Sequence, residues 1–207
     1  MTDVLVLSPH PDDETLGCGG TLRRHIVEGD AVRVLFFTAG EAGGHGLNPA
    51  ATAQLRLAEA AHAMAVLGIT TWECWNVPDG RLSASHALVE RLRVAVEQWK
   101  PGIVYVPHPH DDHPDHRAVS RVLSRALSSR DNRPRVFGFE VWTPVQRMDH
   151  IVDISDVIDI KIAAVRCYHS QNRYVDFEDA LIGLARYRGA LHSWPGGPYA
   201  EVFRRLC

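Results

Sequence analysis

The chain alternates short runs of unbroken apolar residues with longer stretches in which apolar side chains recur every three or four positions. Residues 4–7 (VLVL) and 32–38 (VRVLFFT) are runs of the first kind. A strand covered on both faces loses the period-two alternation of a half-exposed strand, so these runs predict buried strands. Residues 72–76, 103–106 and 136–142 are further strand candidates, and 151–154 is one more. Between them, residues 14–27 place Leu16, Leu22 and Ile26 on one helical face. Residues 51–67 are alanine-rich and stop at Gly68, a usual C-terminal cap signal. Residues 85–99 carry Leu88, Leu92 and Val96 at helical spacing, and residues 115–127 carry Val119, Val122 and Leu123. Residues 155–168 and 177–188 also read as helical.

The predicted order is therefore β-α-β-α-β-α-β-α-β followed by a mixed tail. Such alternation predicts an α/β fold with a mainly parallel sheet between helices, joined by right-handed crossovers. The length suits one domain, residues 1–207. In open sheets of this kind ligands bind outside the carboxyl ends of the strands. Two polar clusters fall there. "SPHPDDE" (residues 8–14) follows the first strand, and "PHPHDDHPDH" (107–116) follows the strand at 103–106.

Charge and composition narrow the function. The formal net charge is −3 with no long basic run, which disfavours nucleic acid and anionic membranes as partners. The apolar stretches fall short of the ~20 residues needed to span a bilayer. An acid, Asp3, stands where a signal peptide carries positive charge, so a cytoplasmic location is expected. Cys18, Cys74, Cys167 and Cys207 are scattered and form no C-x-x-C pair, which opposes a zinc ribbon or a disulfide framework.

His10-x-x-Asp13 and His113-x-x-His116 are both i, i+3 pairs at strand-to-helix junctions. Residues three apart on a helical turn share a side. One imidazole and one carboxylate from the first cluster, with one imidazole from the second, make the ligand set of catalytic zinc with a position left for water. Open iron(II) sites use the same set, so Fe2+ is allowed by the ligands, and zinc is preferred for hydrolytic chemistry. A lone H-x-x-D is commonly a helix cap. Two such clusters on one rim are what favour a shared metal. Adjacent side chains diverge on a turn, so one of Asp12 and Asp13 would bind metal while the other faces the open position and takes a proton from water. Spacing alone does not say which.

Together these stretches resemble the zinc-dependent de-N-acetylases of the PIG-L/LmbE family. The resemblance extends to "TAGEAGG" (38–44), "RLAEAAHAMAVLG" (56–68), "PDG" (78–80), "HSQ" (169–171) and "AEVF" (200–203). It implies a Rossmann-like three-layer α/β/α fold and removal of an N-acetyl group from an N-acetylglucosamine-type amino sugar or its conjugate. It implies zinc on His10, Asp13 and His116, with Asp12 as general base. It assigns His113 to protonating the departing amine or stabilising the oxyanion, and places Arg56 and Asp79 near the sugar. A homo-oligomer, trimer or hexamer, is compatible with it.

Several residues carry a second reading. Arg56 can instead pair with Glu59 at i, i+3. Glu14 supports a ligand from behind or serves as a first-turn acid favoured by the helix dipole. Asp115 orients His113 or caps the helix that follows. The tryptophans at 72, 75, 142 and 194 are expected in the core, with stacking on a sugar as the alternative. Loop 40–46 and the stretch 193–199 are candidate cleft walls or plain surface turns. "GCGGTL" (17–22) is not a dinucleotide fingerprint: Leu22 replaces the third glycine and the segment lies inside the predicted helix. Its glycines are expected to let that helix approach the sheet. Hydrolysis of another amide, an ester or a carbamate is the competing reaction, and non-catalytic sugar or metal binding the competing class.

Overall fold

The computed structural model describes residues 1–128, 133–192 and 196–206. Seven strands, β1 (Asp3–Ser8), β2 (Ala31–Phe36), β3 (Thr71–Cys74), β4 (Ile103–Pro107), β5 (Arg135–Phe139), β6 (His150–Asp153) and β7 (Ala200–Arg205), form one sheet. Their order is β3-β2-β1-β4-β5-β7-β6. β1 to β5 pair in parallel, and β7 runs antiparallel between β5 and β6. The helices are α1 (Asp13–Val27), α2 (Pro49–Leu67), α3 (His86–Trp99), α4 (Pro114–Ala126), α5 (Ile158–Arg166), α6 (His169–Asn172) and α7 (Phe177–His192).

The unbroken apolar runs are explained by two cores. Val4, Val6, Val34, Phe36 and Tyr105 pack on one face with Leu22, Met64, Leu67 and Ala164 of α1, α2 and α5. Leu5, Leu7, Leu35, Val104 and Val106 pack on the other with Leu92, Val96, Val119 and Val122 of α3 and α4. Alternate side chains leave opposite faces of a strand, so both faces of β1, β2 and β4 must be apolar. This is the expected three-layer architecture.

The strands expected over 32–38 and 72–76 end at Phe36 and Cys74, and three larger departures from expectation stand beside these. The strand expected to reach residue 142 ends at Phe139, because Glu140 turns inward and its carboxylate accepts the Val145 N–H at 2.6 Å and is paired with Arg188 at 2.7 Å. The helix expected over 155–168 begins only at Ile158 and is followed by the separate short α6. β7 lies in the tail left unassigned, where only Val202 and Phe203 are strongly apolar among two arginines and a glutamate.

α1 is kinked at Cys18, whose φ of −146° breaks the helical path. The neighbouring glycines answer to close packing. A Cβ on Gly17 would lie 2.2 Å from the Phe139 ring, and one on Gly20 would lie 2.8 Å from Ile154. They let the helix sit against the sheet, as expected. The kink frees backbone groups, and a buried pair takes them up. Glu201 of β7 accepts from the N–H groups of Gly20 (3.0 Å) and Thr21 (2.7 Å), while Lys161 of α5 donates to Leu16 O at 2.8 Å. Lys161 Nζ and Glu201 are 2.6 Å apart. The second half of α1 is therefore capped by a carboxylate from the last strand.

Candidate active site

β1 and β4 adjoin in the sheet, so the segments after them meet at its carboxyl edge. After β1 the chain bends at Pro9 and His10 and turns at Pro11 and Asp12, where the prolines restrict the backbone. Asp12 then adopts φ 131°, a strained value for a residue with a Cβ, and α1 starts at Asp13. Glu14 holds this turn from behind. Its fully buried carboxylate accepts from Ser8 Oγ (3.2 Å), the Asp12 N–H (3.2 Å), Thr15 Oγ1 and the Tyr168 hydroxyl. Burial pushes its pKa up, against the pull of these donors.

The Asp13 carboxylate lies between two imidazoles. His10 Nδ1 is 3.0 Å from one oxygen and His116 Nε2 is 3.1 Å from the other. The far nitrogen of each ring faces a further carboxylate. His10 Nε2 is 3.0 Å from Asp79 and 3.3 Å from Asp115, and His116 Nδ1 is 3.2 Å from Asp111. Neither nitrogen of His116 has a well-directed hydrogen bond, although both are buried. A buried polar nitrogen in that state is costly, and ligation of a cation relieves it. His10, Asp13 and His116 thus fit a metal ion by donor type, orientation and the carboxylates that back both rings.

Electrostatics point the same way. Burial alone would lower the pKa of His10 and His116, but the surrounding carboxylates hold His10 well above its ordinary value and His116 at about 9. Burial opposes the ionisation of Asp13 and Asp79, yet the imidazoles keep Asp13 well below the usual carboxylate range and Asp79 at about 2. The cluster calls for positive charge at its centre.

Asp12 is buried beside the cluster, and burial pushes its carboxyl up to about 7 against the pull of Arg56. Arg56 does not pair with Glu59. Its Nη2 donates to Asp12 (2.9 Å) and Pro11 O (2.7 Å), and its Nη1 donates to Gly40 O (3.1 Å). Glu59 instead accepts from the N–H and hydroxyl of Ser170, at 2.7 and 2.6 Å. Gly40, at φ 68°, has no room for a Cβ: one would lie 2.3 Å from Arg56 Nη1. The glycine loop is thus threaded past the guanidinium, and Gly43 reaches the cavity wall.

His113 takes the cap position of α4, its Nδ1 accepting the Asp115 N–H at 3.2 Å. Asp115 therefore neither caps the helix nor orients His113 with its carboxylate. That carboxylate accepts from the N–H groups of Gly80 (2.9 Å) and Leu82 (3.3 Å) and faces His10, so it fastens the segment after β3 to the cluster. Asp79, from the same segment, also accepts the Ala42 N–H at 2.9 Å. Burial and the nearby His10 and His116 rings lower the His113 pKa.

A cavity of about 350 Å³ opens onto His10, Asp12, Asp13, Arg56, Asp79 and His113. Its outer wall includes Trp142, for which stacking on a sugar was the alternative reading, Gln171 of the HSQ stretch, and Tyr174 and Phe177, which the sequence reading did not single out. Trp142 is half exposed and so departs from the core role expected of it. Trp75 is buried as expected and Trp72 is packed against the core, while Trp194 lies outside the described residues. Of the stretch 193–199, residues 193–195 lie outside the described residues. The remainder is fastened to β6 through Gly197 and Asp153 (2.6 Å), and it does not line this cavity. Groupings of possible ligands at the cluster include His10, His113 and His116, and His10, Asp79 and Asp115; a third, His25, Glu28 and Asp30, lies at the far end of α1. There both His25 nitrogens are engaged, by Asp30 (2.8 Å) and the Tyr105 hydroxyl (3.0 Å).

The histidine and carboxylate cluster lies at the carboxyl edge of adjoining central strands of a Rossmann-like sheet, the switch point at which α/β enzymes bind their ligands. The family model for PIG-L, GlcNAc-PI de-N-acetylase, matches residues 5–127, and the chain belongs to that family. Diacetylchitobiose deacetylase of Thermococcus kodakarensis is 29% identical over 97% of this chain and 82% of that protein. A conserved protein of Thermus thermophilus of known structure is 33% identical, covers 100% of this chain and 95% of its own, and superposes with a TM-score of 0.86. The 4-carboxy-2-hydroxymuconate hydratase of Pseudomonas putida shares the fold, with a TM-score of 0.89, 24% identity and coverage of 100% and 97%. Among the described residues no helix is long and apolar enough to cross a membrane.

Proposed function

We propose that the protein hydrolyses the N-acetyl group of an N-acetylglucosamine-type sugar or conjugate, with zinc held by His10, Asp13 and His116. One observation carries this reading. Two imidazoles from different strand ends turn one nitrogen each onto the same carboxylate, and each has a carboxylate behind its other nitrogen. Zinc held by these residues would supply a Lewis acid and would lower the pKa of bound water towards ~7.

The chain's own residues do the rest. Asp12, with a pKa of about 7 and a place on the cavity wall, takes a proton from the attacking water. Arg56 and the strained backbone fix that carboxylate in one position. Because His113 Nδ1 accepts a backbone N–H, its proton resides on Nε2, and the neutral ring donates a hydrogen bond to the oxyanion. Asp12 then returns its proton to the departing amine. Arg56, whose Nη1 and Nη2 both serve the protein, acts by positioning the base. Asp79 braces His10 from the cavity rim.

The fold also carries a hydratase, so reaction class rests on the site and the family and not on the sheet. A purely binding protein has no use for a strained acid beside the cluster. The test is acetate release from N-acetylglucosamine and N,N'-diacetylchitobiose by the zinc-loaded protein. Asp12→Asn is expected to keep zinc by elemental analysis and to lose about 10²- to 10⁴-fold in rate. No acetate from any N-acetylated sugar overturns the reading, and near-normal turnover by Asp12→Asn removes the base.

A further inference from the structure

The outer wall of the cavity differs in character from its floor. Trp142 is 50% exposed and Tyr174 is 53% exposed, although both line the cavity that contains His10 and Asp12. Tyr174 is stacked on His45 at 3.6 Å, and Trp142 meets Phe177 edge-on at 6.0 Å. Large aromatic rings left half in water around a concave polar site suit the flat apolar face of a ligand.

The main chain that carries Trp142 is also anchored. Its backbone N–H donates to Asp111 Oδ2 at 3.1 Å, and the next backbone N–H, of Thr143, reaches the same oxygen at 3.3 Å. Thr143 Oγ1 accepts the Asp112 N–H at 2.9 Å, and Thr143 O is 2.8 Å from His108 Nε2. The other oxygen of Asp111 faces His116 Nδ1 at 3.2 Å and accepts the His113 N–H at 3.0 Å. One fully buried carboxylate therefore sets both the metal-facing imidazole and the position of Trp142. A tryptophan whose main chain is anchored to the carboxylate behind His116, and whose ring meets Phe177, can select what lies beside the reacting group.

Charge narrows the ligand. Among the described residues lining the cavity, the one guanidinium is Arg56, and its Nη1 and Nη2 are engaged by Gly40, Pro11 and Asp12. No lysine lines it among those residues. Arg173 lines the neighbouring hollow instead. A carboxylated or phosphorylated aglycone thus meets aromatic rings and the His45 imidazole stacked on Tyr174, with no lysine beside it among the described residues.

We propose that Trp142 is a specificity-determining platform, and that the substrate is a neutral glycoside whose group beyond the reacting sugar is a second pyranose stacked on the indole. This rests on the deacetylase reading above. In the zinc-loaded protein, N,N'-diacetylchitobiose is expected to exceed N-acetylglucosamine in kcat/KM by roughly tenfold, mostly through KM. An N-acetylglucosaminide with a carboxylated aglycone is expected to show no such gain. Trp142→Ala is expected to raise the chitobiose KM by roughly tenfold, with kcat changed far less, and Trp142→Phe to recover most of the loss. Calorimetric binding of chitobiose to Asp12→Asn, with and without Trp142→Ala, reads the same contact without turnover. Equal KM for monosaccharide and disaccharide, preference for the carboxylated glycoside, or a chitobiose KM within twofold after Trp142→Ala overturns the proposal. If no sugar releases acetate, the deacetylase reading fails, and the calorimetric comparison still decides whether Trp142 stacks on the disaccharide.

Discussion

Lys161→Met tests how the first helix is held. Lys161 and Glu201 are both buried, and their 2.6 Å contact joins α5 to β7 under the kink of α1. Methionine matches the stem of lysine but lacks the ammonium. Glu201 keeps its bonds from Gly20 and Thr21 yet loses its counter-charge, and Leu16 O loses the donor at 2.8 Å. Leaving one partner of a buried pair uncompensated costs about 3–5 kcal/mol. For a chain of this size that corresponds to a fall in Tm of roughly 6–20 °C. Thermal and urea unfolding of the metal-free protein measure it. Adding Glu201→Gln removes the stranded charge while keeping an acceptor for one of the two N–H groups, since Gly20 and Thr21 bond different oxygens of the carboxylate. The double variant is therefore expected to be more stable than the sum of the single changes by about 1 kcal/mol or more. A Tm within 3 °C of the parent, or strict additivity, refutes the claim that this pair caps the second half of α1.

Two other variants probe different links. Asp111→Asn removes the carboxylate behind His116 and is expected to weaken zinc binding by about 10- to 100-fold in chelator competition; unchanged affinity would show that His116 is held by other contacts. Gly17→Ala places a Cβ 2.2 Å from the Phe139 ring, and a loss of about 1–3 kcal/mol is expected by denaturant unfolding, reduced when Phe139→Leu is added. A neutral Gly17→Ala would mean that α1 has room to move away from the sheet.

Much of this architecture was legible before folding. Continuous apolar runs marked the central strands because both faces of β1, β2 and β4 are covered, and that burial leaves a direct trace in composition. The two polar clusters were legible because chemistry at a strand end interrupts that trace. What escaped is information carried by distance along the chain. Asp111 is one of three acids between residues 111 and 115, and spacing does not say which of them faces His116. Glu14 meets Tyr168 across 154 positions, and neither residue's neighbours betray the other. Arg56 had an acid at helical spacing in Glu59, but the guanidinium turned inward to a buried Asp12 instead. β7 was missed because its outward residues are charged and its one buried acid, Glu201, reads as a surface residue until Lys161 is placed against it.

The long reach of those contacts has a consequence for how the protein matures. The segment 5–127 that matches the family model contains His10, Asp12, Asp13, His113 and His116. The hydroxyl that secures Glu14 comes from Tyr168, and the carboxylate that caps the second half of α1 comes from Glu201. During synthesis every group proposed above to ligate or to move protons emerges before Tyr168 and Glu201. Until residues 128–207 appear, that cluster lacks the contacts of Tyr168 and Glu201, and metal acquired before then would meet a site without them.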